Sequence, residues 1–176
     1  MHSPESPQQD VQALQREIKD LRRRLRVSQE IDDLIEAGTI AQKCLAALLE
    51  EVFSYIEKEM KPQAVFLCTV DEELKISSFF RGISEADLTP EEKTALNGTD
   101  RRNIFNSDHR SWFIAGLDMA GENIGVFALA YPSGDKPDPE ITFDLMNSII
   151  EELDNYFYAI KANRFKHMMI MEIQHC

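Results

Sequence analysis

Gly121-Glu-Asn-Ile-Gly-Val-Phe-Ala-Leu-Ala-Tyr131 and, after a loop, Asp138-Pro-Glu-Ile-Thr-Phe-Asp-Leu-Met146 decide the fold class. The first stretch is an apolar, β-prone run entered from a turn at Ala120-Gly121. Pro132-Ser-Gly-Asp-Lys-Pro-Asp138 has the composition of a loop. A helix then starts: Asp138 can cap free backbone N–H groups, and Pro139 at the first helical position loses no hydrogen bond. Met146, Ile149, Ile150, Leu153, Phe157 and Ile160 follow at three- and four-residue steps, which makes one helical face apolar. A last strand thus hands over to a helix that covers a sheet.

Upstream, Ile40, Cys44, Leu45, Leu48, Leu49, Val52, Phe53 and Ile56 form a wide apolar stripe. It predicts a core helix that begins after a break at Gly38, with Thr39 as its cap, and ends near Lys61-Pro62. Gln63–Val70 is apolar on both faces and so reads as a central strand. A turn at Asp71-Glu72-Glu73 leads to Leu74–Phe80 as the second arm of a hairpin. Cys44 and Cys68 fall on core positions of the helix and the first strand. In the polar middle, Thr89-Pro90-Glu91-Glu92 is a capping box that opens a short helix ending near Asn97-Gly98. Asn103–Phe105 fits an edge strand, and Ser111–Leu117 a further strand that pairs with Ile124–Ala130.

The ends of the chain differ from this domain. Residues 1–10 are Ser-, Pro- and Gln-rich, a composition expected to be disordered. Val11, Leu14, Ile18, Leu21 and Leu25 then form a narrow heptad seam, spaced three and four, on a helix spanning 11–37. Beyond Leu25 the register shifts to Val27, Ile31, Leu34 and Ile35, like a stutter. The basic run Arg22–Arg26 reads as a solvated face, with Glu17 and Asp20 one turn away. At the other end, residues 163–176 continue the last helix through Phe165, Met168 and Met169. The expected divisions are therefore 1–10, 11–37, a domain over 38–162, and 163–176. Two apolar stripes left over from one domain are most simply buried against each other across a two-fold axis, as a homodimer with a four-helix stalk.

Composition narrows the function. The 176 residues carry a net charge of −12, which disfavours a nucleic-acid partner because neutralising phosphates needs a positive surface. Three scattered cysteines supply neither a disulfide framework nor a zinc site. The N-terminus lacks the apolar run of a signal peptide, and nothing is long enough to insert in a bilayer, so a cytoplasmic setting is expected. The four histidines have no metal-ligand spacing.

The order of elements, helix–helix–hairpin–helical middle–hairpin–helix, resembles the GAF domain family. Ala46–Phe53 leading to Ala64–Asp71 looks like the family's second helix and first strand. Ser111–Leu117 with Gly121-Glu-Asn-Ile-Gly125-Val-Phe-Ala-Leu129 resembles its last hairpin, where "G-x-x-I-G-V-L" is usual. Asp138–Leu145 resembles the start of its closing helix. The similarity runs from about Ile31 to Ile160, with a non-matching middle. It implies an α+β fold of profilin-like type: an antiparallel sheet of about five to six strands, helices on one face, and long N- and C-terminal helices. It also implies a small-molecule pocket on the other face, closed by Arg81–Arg110, and dimerisation through the flanking helices.

The same resemblance nominates Phe79, Arg81, Arg102, Asp108, His109, Arg110 and Trp112 as ligand-contacting residues. Arginine suits carboxylate or phosphate recognition, histidine titrates near neutrality, and the aromatics can line a pocket. A polar turn explains Asp108-His109 equally, and core filling explains the aromatics. Glu91 and Glu92 look like a solvated helix face. The family's cyclic-nucleotide signature is absent, and no cysteine lies between Val70 and Cys176 to attach a pigment. The expected function is a non-catalytic regulatory module that senses a small ligand or partner and signals through dimeric helices to an output domain. The alternatives are an adaptor with a filled pocket and a thiol-dependent methionine sulfoxide reductase. No cofactor is named by the sequence.

Overall fold

The deciding stretch folds as its pattern requires. In the computed structural model, which describes residues 7–70, 78–97 and 102–166, Glu122–Pro132 is strand β5 and Pro139–Lys166 is helix α4. The Asp138 carboxylate accepts hydrogen bonds from the N–H groups of Glu140 (2.9 Å) and Ile141 (3.2 Å), so the helix start is capped. Before them come α1 (Pro7–Ile40), α2 (Leu45–Met60), β1 (Ala64–Thr69), β2 (Phe79–Arg81), a 3-10 turn (Glu85–Asp87), α3 (Pro90–Leu96), β3 (Arg102–Asn106) and β4 (Arg110–Met119). The five strands form one antiparallel sheet in the order β2-β1-β5-β4-β3. The α+β architecture is as expected, with β1 and β5 inside the sheet and β3 at an edge. The turn Asp71-Glu72-Glu73 and, of the first hairpin's second arm, Leu74 to Ser77 lie outside the described residues.

Strand alternation sorts the core into two layers. Val65, Leu67, Phe113, Phe127 and Leu129 face α1, α2 and α4, where Leu48, Phe53, Met146, Leu153 and Phe157 meet them. Ala64, Phe66, Trp112, Ile114, Ala128 and Ala130 face the other way, under Leu88 and Leu96 from the chain between β2 and β3. Helices therefore cover one face, and the polar middle covers the other.

The first helix departs from expectation at both ends. It begins at Pro7, and it runs on through Gly38 to Ile40. Gly38 is buried in the helix because α2 comes close: a Cβ there would sit 2.8 Å from Leu48 Cδ1. Thr39 caps nothing; its hydroxyl donates back to the Ile35 carbonyl at 2.7 Å. The cap of α2 is Cys44, whose Sγ accepts from the Ala47 N–H at 3.4 Å. Cys44 is half-buried at this helix start rather than packed in the core as its stripe position suggested.

The register shift after Leu25 marks a change of face. Val27 and Ile31 are fully buried on the domain, whereas Val11, Leu14, Ile18, Leu21 and Leu25 are 46–70 % exposed. Two arginines of the basic run, Arg26 exposed and Arg23 half-buried, also reach an acidic partner. Arg23 and Arg26 both donate to Glu59 Oε1, at 3.2 and 2.6 Å, and fasten α1 to the end of α2. Burial pushes the Glu59 carboxyl upward, but these two guanidiniums outweigh it and hold it below its ordinary range.

Helices α1 and α4 run in the same direction. Asp20, Arg23 and Arg24 share a small groove with Ile141, Asp144 and Leu145, and Ser28 donates to Glu152 at 2.7 Å. The exposed seam thus stands at the opposite end of this helix pair from the end of α4. Met168 and Met169 lie outside the described residues, as does the side chain of Phe165.

Candidate functional site

The face of the sheet away from α1, α2 and α4 carries a cavity of about 240 Å³. Its walls come from β1 (Phe66, Cys68), from Ser78 and Phe80 around the start of β2, from Glu85 and Leu88 in and after the 3-10 turn, and from Lys93, Leu96 and Asn97 at α3. Phe66 and Phe80 are cross-strand partners on this face, with ring centroids 4.7 Å apart.

Next to it lies a buried charged cluster. Glu92 is fully buried, and its Oε1 and Oε2 accept from Arg110 Nη2 (2.7 Å) and Nε (2.9 Å). Trp112 Nε1 donates to Glu92 Oε2, and the Thr89 N–H donates to Oε1 at 3.2 Å. Arg110 Nη2 also reaches the Asp87 carbonyl at 2.9 Å. Burial alone would raise the Glu92 carboxyl, but the hydrogen bonds from Arg110, Trp112 and Thr89 pull it down to about 2. This cluster pins α3 and the 3-10 turn to β4 and so fixes one wall of the cavity.

None of the seven residues nominated from the sequence lines the cavity. Phe79 pairs with Leu67 on the helix-covered face, its ring edge-on to Phe53 at 5.1 Å. Arg81 lies on the same side and pairs with Glu50 and Glu57 of α2. One step along the strand reverses the face, which is why Phe80 reaches the cavity and Phe79 does not. Arg102 stacks over Phe143 at 4.3 Å. Asp108 and His109 are exposed in the turn before β4, tied through their carbonyls to Ser133. Arg110 and Trp112 do come together, on Glu92.

The sequence places Glu92 on a solvated helix face, and the structure buries it. The capping box was the available signal, because a glutamate at its third position turns back toward the helix start. Glu91, one residue earlier, is exposed as expected.

Asp154 on α4 is the other strongly shifted carboxyl, and it lies away from the cavity. Burial pushes it up to about 7; the Asp118 N–H opposes this, while the charges of Asp118 and Glu151 add to it. Its Oδ1 has no partner among the described residues. An acid whose folded value is raised costs no stability below its ordinary value of 3.8, and the cost grows as pH rises toward 7. Asp154→Asn is therefore expected to leave stability unchanged at pH 3.5 and to raise it at pH 8 by on the order of 1 kcal/mol after solvent screening. Urea melts at the two pH values would read this, and equal gains at both would contradict it.

The carboxylates of Asp32, Asp33 and Glu36 lie within 4.8 Å of one another on the exposed face of α1. Asp33 already accepts from Gln29 at 2.9 Å, and the group has the character of a solvated acidic face.

No family model matches the sequence, and no curated protein matches it. Solved structures do. The A. aeolicus nlh2 GAF domain, crystallised in an inactive state, superimposes with a TM-score of 0.56 at 14% identity, over 80% of this chain and 98% of that one. The fold is GAF-like.

Proposed function

We propose that this chain is a GAF-like regulatory module: it holds a small ligand in the cavity under α3 and passes a signal through helices paired with a second copy. The observation that carries the reading is the half-exposed seam of Val11, Leu14, Ile18, Leu21 and Leu25 on a helix whose next turns, Val27 and Ile31, are buried in the domain. One continuous helix thus joins an apolar stripe, exposed among the described residues, to the core that backs the sheet. A shift in how two copies pack along the seam would be felt at α2 and α4, and the reverse holds by linkage. Because α1 and α4 run parallel, the signal enters at one end of the domain and leaves at the other.

A non-catalytic role is supported at Cys68. It is the cysteine among the cavity's lining residues, and burial raises its thiol above the ordinary range, the opposite of what activates a nucleophile. The adaptor reading also has an observation in its favour. Trp112 and the Glu92–Arg110 pair fill much of the sheet face next to the cavity.

Cross-linking tests the paired helix. In a two-stranded seam, Ile18 faces its own copy while Arg16 points outward. Ile18→Cys is expected to give bismaleimide-linked dimers well above the wild-type background, and Arg16→Cys none above it. Equal linking by both variants, or by neither, would contradict a pairing through this seam.

A further inference from the structure

The cavity combines an apolar floor with a rim that carries both signs of charge. Phe66 and Phe80 form the floor, with Leu88 and Leu96 at the sides. The exposed residues of its lining are Ser78, Glu85, Lys93 and Asn97, two of them charged with opposite sign. The neighbouring charges are engaged: Arg81 with Glu50 and Glu57, Asp87 with Ser84, and Glu92 with Arg110. Glu85 and Lys93 have no ion-pair partner among the described residues.

We propose that the cavity takes a free apolar α-amino acid, its side chain against Phe66 and Phe80 and its charged end between Glu85 and Lys93. This rests on the cavity being the ligand site of the module. Size is the first argument. Pockets for drug-sized molecules run to about 300–1,000 Å³, so 240 Å³ suits something smaller. Charge is the second. A simple carboxylic acid would satisfy Lys93 and confront Glu85 with a like charge. An amine would do the reverse, and a neutral apolar molecule would leave both unanswered. A phosphorylated ligand would bring several negative charges to one ammonium beside a carboxylate. A zwitterion answers both groups, with Asn97 and Ser78 able to bond either end.

Isothermal titration calorimetry on the full chain tests this with leucine, methionine, phenylalanine, 3-phenylpropionate and 2-phenylethylamine. At least one amino acid is expected to bind saturably, with 3-phenylpropionate and 2-phenylethylamine at least tenfold weaker than phenylalanine. Lys93→Met and Glu85→Gln each remove a charged hydrogen bond and are expected to weaken binding by roughly tenfold to a hundredfold. Both residues are exposed, so circular dichroism should be unchanged. Two results would overturn the assignment: analogues that bind as tightly as phenylalanine, or affinity that survives both substitutions. Either would leave a ligand cavity of other chemistry. Binding by none of the five probes would also overturn it, and the cross-linking result would still stand or fall separately.

Discussion

Glu92→Ala is expected to lower the unfolding free energy by about 3–5 kcal/mol, the range for removing one partner of a buried ion pair. The carboxylate is fully buried and answers donors of three residues on two elements: Arg110 and Trp112 on β4, and the Thr89 N–H at the start of α3. Without it, the Arg110 guanidinium and the Trp112 N–H stay where water reaches them poorly, since both residues are buried. Glu92→Leu combined with Arg110→Met removes both charges at similar volume, and should recover most of the loss. Urea denaturation of the three proteins reads the effect, and a change below about 1 kcal/mol in the single variant would show the cluster to be weak.

The same carboxylate gives the chain an acid-sensitive component. Its value is about 2 in the folded protein against 4.5 ordinarily, so its contribution is complete above pH 4.5 and is lost as pH falls from 4.5 toward 2. The shift corresponds to about 3 kcal/mol. Wild type should lose this much across that window, and Glu92→Gln should show a flatter profile.

Much of the fold was legible because its signals are local. The capped start at Asp138, the capping box at Thr89, and β1 and β5 as apolar interior strands all follow from residue type and period. The "G-x-x-I-G-V" pattern has its own physical cause. At Gly125 a Cβ would sit 1.9 Å from the Cys68 carbonyl oxygen, so the strand pair closes only around glycine. Signals that depend on distant partners were lost. Gly38 looks like a helix breaker until Leu48 is packed against it. The pairing of Arg23 and Arg26 is hidden because Glu59 arrives from 33 or more residues away.

The cavity was the least legible part. Its lining alternates with core residues on the same strands, and a one-residue error selects Phe79 in place of Phe80. The charge type of its rim could not be read either. Arg81 and Arg102 attract notice in the sequence, yet Glu50, Glu57 and Phe143 engage them. Lys93 and Glu85, without an ion-pair partner among the described residues, sit in helical turns, where charges are ordinary.

Leu21→Asp with Leu25→Asp is expected to convert a dimer to monomers while the domain stays folded. Both side chains are more than half exposed and face away from the core, so the isolated domain loses no packing. In a paired seam each copy would instead bring two carboxylates to an apolar contact, beside the same two from its partner. Fully burying an aliphatic side chain of this size stabilises by about 1.5–3 kcal/mol, and charge there reverses the sign. Circular dichroism should match wild type, since Val27 and Ile31 still hold α1 on the domain. If the variant unfolded, the seam would be packed on its own domain in solution.

Sedimentation equilibrium of the wild-type chain at micromolar concentration, run beside this double variant, reads the pairing itself. Pairing through the seam gives a mass of twice 20.2 kDa for wild type and 20.2 kDa for the variant. A wild-type chain that sediments as a monomer across the micromolar range would contradict signalling through paired helices.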